Sequence, residues 1–210
     1  MGRITGPSCR QCRREGIKLL LKGIRCHTAK CAMERPGRNN PPGQHSWRRG
    51  KSSEYAVRLR EKQKVKRYYG VLERQFMIYF RMAERLKGNT GVNLLVLLER
   101  RLDNVLYKVG FGLSRKAARE LITHGHIRVN GRKIDRPSYL VRPGDAVTLK
   151  PTEKSAKAVK AFLEMDPNRQ IQPWLEIDRG KLEATVKGLP TREDVQIPVE
   201  EQLIVELSSR

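Results

Sequence analysis

The sequence predicts an α+β fold in which a short extension, stapled by a metal ion, precedes a helical domain and a domain with a small antiparallel sheet. Three observations lead to this prediction. Four cysteines lie within the first 31 residues, apolar residues recur at helical spacing from Ser53 to Gly110, and short alternating segments separated by turn residues follow from Gly125. With 210 residues, the chain is long enough for one or two domains with a packed core.

The first half of the chain is predicted to be a loop region followed by three helices. Residues 1–47 are rich in glycine, proline and cysteine, so we expect loops there. Ser53 is the expected N-cap of a helix that ends at Gly70. A second helix is predicted over about 71–87, and a third, continuous helix over about 92–109.

The second half is predicted to mix short helices with strands. Ser114 should cap a helix over 115–123, and Asn130-Gly131 is a strong signal for a hairpin turn. The further expected elements are strands over 126–129, 133–134, 146–150, 174–177 and 182–186, a turn at 143–145 and a helix over 152–165. Residues 202–207 fit either a strand or a short helix.

The charge of the chain is strongly positive and unevenly distributed. Lys and Arg number 44 and Asp and Glu number 22, which gives a net charge of +22. The net charge is +17 over 1–100, +7 over 101–150 and −2 over 151–210. Such an excess calls for an anionic partner, expected along the first 150 residues. The sequence shows neither a secretory signal nor an apolar run long enough for a membrane span, so we expect a cytoplasmic protein with reduced cysteines.

The four cysteines form the first candidate site. Cys9 and Cys12, then Cys26 and Cys31, form two close pairs joined by a loop, and two such pairs supply the tetrahedral thiolates that zinc prefers. We therefore predict a structural zinc ion. A four-cysteine iron–sulfur cluster and four inert thiols remain alternatives, and the neighbouring His27 could replace one thiol.

Basic residues around the cysteines and in the first long helix form the second candidate site, an RNA-binding surface. Cations at this density suit phosphates, and interleaved tyrosines could stack on bases. Only Glu54 and Glu61 interrupt the helical stretch, whereas a self-contained solvated helix should balance its charges. The predicted contacts are Arg3, Arg10, Arg13, Arg14, Lys22, Arg25, Arg48, Arg49, Lys51, Tyr55, Arg58, Arg60, Lys62, Lys64, Lys66, Arg67, Tyr68 and Tyr69.

The third candidate site combines the helix over 115–123 with the hairpin that follows it. Cations at the start of the helix and on the hairpin would converge, and helix N-terminal amides also favour phosphate. The predicted RNA contacts are Arg115, Lys116, Arg119, His124, His126, Asn130, Arg132 and Lys133. For each of the two histidines, a structural role is an equally good interpretation.

Several motifs resemble a known family. Residues 101–105 (RLDNV), Gly110-Phe111, Ser114-Arg115 and the helix and hairpin through 129–131 (VNG) resemble the α-L RNA-binding motif. Together with 42–45 (PGQH), 59–64 (LREKQK), 73–76 (ERQF) and 203–207 (LIVEL), they resemble the S4 family of small-subunit ribosomal proteins over essentially the whole chain.

The resemblance implies a function and a domain organisation. Members bind 16S rRNA early in assembly at a junction in its 5′ domain, contact ribosomal protein S5 at an interface that influences decoding accuracy, and line the channel through which mRNA enters. Arg48, Arg49 and Lys51 match the channel positions. The implied domains are a four-cysteine extension over 1–47, a helical domain over 48–91 with about 191–210, and an α-L domain over 92–190.

Two other classes of protein compete with this interpretation. An RNA-modifying enzyme could use the α-L motif for targeting, but it would need a catalytic domain, and outside the motif the sequence offers basic helices, the cysteines and a short acidic end. A zinc-dependent DNA-binding regulator would need a recognition helix and usually a dimerisation element. We therefore expect a protein that is not an enzyme and takes no small-molecule substrate.

Overall fold

The computed structural model describes residues 2, 4–45, 50–167 and 169–209. The chain divides into two compact units, Met1–Leu94 with Gln196–Arg210 and Leu95–Val195. The first unit is helical and the second combines helices with a sheet, which confirms the α+β class. The predicted extension over 1–47 falls within the first unit.

Helices build the first unit. They are α1 (Ser8–Glu15), a 3-10 helix (Gly23–His27), α2 (Glu54–Tyr69), α3 (Glu73–Glu84), the start of α4 (Thr90–Glu99) and the C-terminal α8 (Glu201–Ser208). Apolar side chains of α2, α3 and α8 are buried, among them Val65, Phe76, Phe80 and Ile204. Helix α8 packs on α2, as the family resemblance implied. Residues 202–207, which fitted either a strand or a short helix, are helical.

Local signals account for the limits of α2. The Ser53 hydroxyl accepts a hydrogen bond from the Ala56 N–H at 3.2 Å, which caps the first turn. Gly70 adopts a left-handed conformation with φ of +65°, and its N–H donates to the carbonyls of Arg67 and Lys66. Both predicted ends of this helix are confirmed.

The prediction of loops throughout residues 1–47 was wrong. Helix α1 forms because it can bury Ser8 and Cys12 on one face while its arginines face away. Gly16, at φ +73°, ends it and donates its N–H to the Cys12 carbonyl.

The second unit surrounds a five-stranded antiparallel sheet. The strands are β1 (Ile127–Val129), β2 (Arg132–Lys133), β3 (Ala146–Leu149), β4 (Leu175–Asp178) and β5 (Glu183–Val186), in the order β2-β1-β3-β5-β4. The helices are α5 (Leu102–Val109), α6 (Arg115–Thr123) and α7 (Glu153–Met165). Apolar side chains of α5, α6, α7 and the sheet form one core, which includes Phe111 and Trp174.

The predicted continuous helix over 92–109 is in fact two helices. The chain leaves helical geometry at Arg101, where φ is −64° and ψ is 135°. There Arg101 pairs with Leu140 in an isolated antiparallel bridge, and the Leu102 N–H donates to the Tyr139 carbonyl at 2.8 Å. Backbone partners distant in sequence thus replace the helical hydrogen bonds that local periodicity predicted.

The hairpin between β1 and β2 turns as predicted. Asn130 and Gly131 have φ of +50° and +78°, the pair of positive values that a type I′ turn requires. The Asn130 amide also donates to Asp145 at 2.8 Å and accepts from the Ala146 N–H at 2.9 Å. These bonds tie the hairpin to the start of β3.

None of the helices in the described part of the chain has the length and apolar character that a membrane span requires.

Candidate nucleic-acid interface and cysteine site

The four cysteines line a single cavity of about 10 Å³. Cys12, Cys26 and Cys31 are buried and Cys9 is half-buried. Within the described residues, no group of three or more His, Cys, Asp or Glu side chains forms a ready metal site. The four thiols share this cavity, and the metal stays a prediction.

Backbone amides point at two of the sulfurs. The Lys22 N–H donates to Cys26 Sγ at 3.4 Å, and the backbone of Leu19 hydrogen-bonds the Cys12 sulfur. Leu20, with φ of +51°, and Gly23, with φ of +60°, turn the chain around the cavity. Burial raises the pKa of the Cys12 and Cys26 thiols, while the N–H donors favour the thiolates.

Glu15 links the cysteine region to α2. Its fully buried carboxylate pairs with Arg67 and, at 3.4 Å, with Arg60. Burial raises the pKa of Glu15, and Arg67 and Arg60 offset part of that rise. Because α1 carries Glu15 at its last position, this ion pair fixes α1 against α2.

All six cations predicted as RNA contacts on α2 have acidic partners within the first unit. Arg58 binds Glu54 at 2.9 Å and Glu206 at 2.7 Å. The remaining pairs are Arg60 and Arg67 with Glu15, Lys64 with Glu61, and Lys62 and Lys66 with Glu73. Three of these acids lie outside α2. Counting only the acids within the helix therefore underestimated how many of its cations have an acidic partner. The charge of α2 is therefore largely neutralised by the fold itself.

Two of the predicted stacking residues are not on the surface. Tyr68 and Tyr69 are only 3% and 2% exposed and contact each other edge-to-face at 4.9 Å. The prediction that they stack on bases was wrong, because the apolar face of α2 needs them in the core. Tyr55, at 62% exposure, remains accessible.

The ion pairs of Glu73 predict that the stability of the first unit falls modestly as the pH is lowered. Burial raises the pKa of this carboxyl, but its hydrogen bonds and charge contacts with Lys62 and Lys66 outweigh that effect and lower the pKa. A lowered folded-state pKa gives stabilisation that is present above the unfolded pKa and lost as pH falls through the folded pKa. Because the side chain is half exposed, the loss should be at most about 1 kcal/mol.

Thermal unfolding between pH 3 and 7 checks this prediction. We expect Glu73→Gln to flatten the acid decline of Tm of the first unit, and Glu84→Gln, at an exposed position of the same helix, to leave it unchanged. Identical acid declines for wild type and Glu73→Gln would show that the pairs do not stabilise the fold.

The structure brings together the elements of the third predicted site. Ser114 caps α6 by accepting from the Ala117 N–H at 3.2 Å. The Lys133 side chain of the hairpin lies over Gly125 at the end of α6, so closely that a Cβ on residue 125 would come within 2.5 Å of Lys133 Cε. The exposed cationic and imidazole side chains of this surface are Lys116, His124, Arg132 and Lys133.

Two residues of that site have structural roles instead. Arg115 is 7% exposed, donates to Asn104 Oδ1 at 2.8 Å and lies over the Tyr107 ring at 4.4 Å. His126 Nδ1 is 2.9 Å from the Ser155 hydroxyl, which joins β1 to α7. The prediction of RNA contact was wrong for Arg115, because its side chain is buried. For His126, which is half-buried, the contact with Ser155 favours the structural interpretation, and RNA contact stays a prediction.

A buried polar network that the sequence did not reveal supports α6. Glu99 Oε2 accepts from Asn104 Nδ2 at 2.6 Å and from Lys108 Nζ at 3.1 Å. Lys108 also donates to the Asp194 carbonyl at 2.7 Å, and burial lowers its pKa. Asp103 binds Arg101 at 2.7 Å and Arg119 at 3.5 Å. These contacts were not found from the sequence, because the partners are dispersed from Glu99 to Asp194 along the chain.

Comparison with known proteins identifies the family. Residues 3–99 match the family described as the ribosomal protein S4/S9 N-terminal domain, and residues 100–147 match the S4 domain. The small ribosomal subunit protein uS4 of Geotalea daltonii is 55% identical over 210 residues, all of both chains. Those of Thermodesulfovibrio yellowstonii and Syntrophobacter fumaroxidans are 53% and 52% identical over the same span. The chain belongs to the uS4 family.

This uS4-family chain has exposed cations that its sequence did not single out. On α7, Lys154, Lys157 and Lys160 are exposed and have no ion pair with any residue that the structure describes. They lie in the C-terminal segment whose net charge of −2 led us to expect no anionic partner there. Most acids of that segment lie outside α7. The net charge of the whole segment therefore did not indicate that one face of this helix is basic.

The remaining predicted contacts divide by exposure. Arg10, Arg14, Lys22, Arg25 and Lys51 are exposed, whereas Arg13 is half-buried. Arg3, Arg48 and Arg49 lie outside the described residues.

Proposed function

We propose that this protein is a structural, rRNA-binding component of the small ribosomal subunit in the cytoplasm and not an enzyme. Full-length similarity to proteins named small ribosomal subunit protein uS4 carries the proposal. The S4 domain over 100–147 includes α6 and the hairpin, which carry the exposed cations Lys116, Arg132 and Lys133. No observation favours the rival RNA-modifying enzyme or the DNA-binding regulator.

In this proposal the second unit presents a rigid cationic surface to folded RNA. Lys116 near the start of α6 and Arg132 and Lys133 on the hairpin would neutralise phosphates. The type I′ turn fixes the hairpin, and the Glu99–Asn104–Arg115 contacts hold α6 in the core. Preorganised cations lose little conformational entropy on binding, which favours affinity.

The proposed target is the junction in the 5′ domain of 16S rRNA, bound early in assembly. The proposal extends to ribosomal protein S5 as a neighbour that affects decoding accuracy, and to the channel through which mRNA enters. Arg48, Arg49 and Lys51 would contact mRNA in that channel. Of these, Lys51 is described and exposed, which suits such a contact.

We also propose a structural zinc ion held by Cys9, Cys12, Cys26 and Cys31. Four thiols around one cavity form the donor set that structural zinc prefers, and amides directed at two sulfurs would orient the thiolate ligands. We favour zinc over a four-cysteine iron–sulfur cluster because two close cysteine pairs joined by a loop are typical of structural zinc sites. The bound ion would hold α1 and the 3-10 helix together.

The salt dependence of rRNA binding tests the proposed function. We expect the purified chain to bind transcribed 16S rRNA in preference to tRNA, with log affinity falling by roughly 0.7–0.9 per log unit of salt for each phosphate neutralised. Filter binding at several salt concentrations gives the slope. A slope near zero, or equal affinity for both RNAs, would reject the proposal.

A further inference from the structure

One face of α3 carries three arginines and is open to solvent. Arg74, Arg81 and Arg85 are exposed. At 3.6 residues per turn they fall within about 40° of one another, along about 16 Å of the helix axis. We call these three residues the α3 arginine stripe.

The stripe is uncompensated. None of its guanidinium groups has an ion pair or hydrogen bond with the residues that the structure describes. The two acids of the helix, Glu73 and Glu84, lie about 60–120° from the individual arginines around its axis. Since like charges four residues apart destabilise a helix, Arg81 and Arg85 are better explained by an external anion than by the fold.

The contrast with α2 is informative. Every cation predicted to contact RNA on α2 has an acidic partner, whereas the stripe, which the sequence did not single out, has none in the described chain. A phosphate approaching α2 would have to displace Glu15, Glu73 or Glu206. A phosphate approaching the stripe meets cations that are already available.

Aliphatic side chains accompany the stripe. Ile78 and Met82 are 49% and 39% exposed on the same side of α3, and Leu72 and Leu86 flank the helix at 41% and 49%. In RNA, sugars and unstacked bases lie beside the phosphates and offer apolar contacts to such side chains. Guanidinium groups are suited to binding phosphates through two parallel hydrogen bonds.

We propose that the α3 arginine stripe is a phosphate-binding surface for small-subunit rRNA and is the main contact of the first unit's helices with the RNA backbone. This proposal rests on the proposed function and assigns the contact to α3 in place of α2.

The test compares three variants of the full chain by filter binding to transcribed 16S rRNA over a range of salt concentrations. The first replaces Arg74, Arg81 and Arg85 with glutamine. The second removes the same charge elsewhere, through Arg179→Gln, Lys181→Gln and Lys187→Gln, where the cations are already engaged with a carbonyl, Asp178 and Glu176. The third replaces the stripe with lysines and so retains its charge.

We expect the glutamine stripe variant to lose at least about tenfold in affinity and about two units of salt slope, because three phosphates are no longer neutralised. The charge-matched control should stay within about threefold of wild type, and the lysine variant should retain the salt slope. Circular dichroism checks that all three are folded.

The proposal is overturned if the glutamine variant is folded and keeps the wild-type slope, or if the charge-matched control loses as much affinity. The first result would mean that the stripe does not bind rRNA phosphates, and a protein partner would become the alternative. Failure of the proposed function is a different outcome, in which the wild-type chain itself shows no preference for 16S rRNA.

Discussion

Replacing Cys9 with serine is expected to unfold the region around α1 and the 3-10 helix while leaving the second unit folded. The variant removes one of four thiols around the shared cavity, and structural zinc contributes on the order of 10 kcal/mol to small modules of this kind. The cysteine region has few buried apolar side chains of its own, chiefly Leu19 and Leu21, so it cannot absorb such a loss.

Limited proteolysis and metal analysis test this result. Wild-type protein should contain one zinc ion per chain and resist cleavage within 16–45, and the variant should be cleaved there while 95–195 survives. Met33→Ala is the matched control, because Met33 lines the same cavity but carries no thiol. If Cys9→Ser resists protease as well as Met33→Ala and the wild type contains no metal, the zinc site does not exist.

Glu99→Ala is expected to destabilise the second unit by about 3–5 kcal/mol. Glu99 is fully buried and accepts from both Asn104 and Lys108, so its loss leaves a buried ammonium without its counter-charge. The Tm of this unit should fall by more than about 10 °C, measured by calorimetry at neutral pH.

Two further variants make the test specific to the buried pair. Glu164→Ala, at an exposed position of α7, should change stability by less than about 0.5 kcal/mol. Combining Glu99→Gln with Lys108→Met removes both charges and keeps an acceptor for Asn104, so it should recover part of the loss. Equal Tm values for Glu99→Ala and Glu164→Ala would show that the network does not stabilise the unit.

Much of the fold was predictable because its signals are local. Ser53 and Ser114 cap helices through hydroxyls that reach amides three residues away, and Gly70 and Gly110 end helices through their left-handed backbone. The Asn130-Gly131 turn is of the same kind. Within the candidate sites, the clustering of the four cysteines and the meeting of α6 with the hairpin also followed from neighbours in sequence.

The break between α4 and α5 was not predictable from periodicity. It depends on Arg101 and Leu102, which meet residues 139–140 of a distant loop. The roles of Tyr68, Tyr69 and Arg115 were misassigned for the same reason, since residue type indicates an aromatic ring or a cation but not whether the fold buries it.

The family resemblance, the helix caps, the turns and the total positive charge could all be inferred from the order of the residues. Which cations remain available for RNA depends on how the chain folds. The cations of α2 form ion pairs with acids as distant in sequence as Glu206, whereas the α3 arginine stripe has no ion pair with the residues that the structure describes. The physical reason is range: capping and turn geometry act over three or four residues, whereas ion pairing depends on which segments folding brings within about 4 Å.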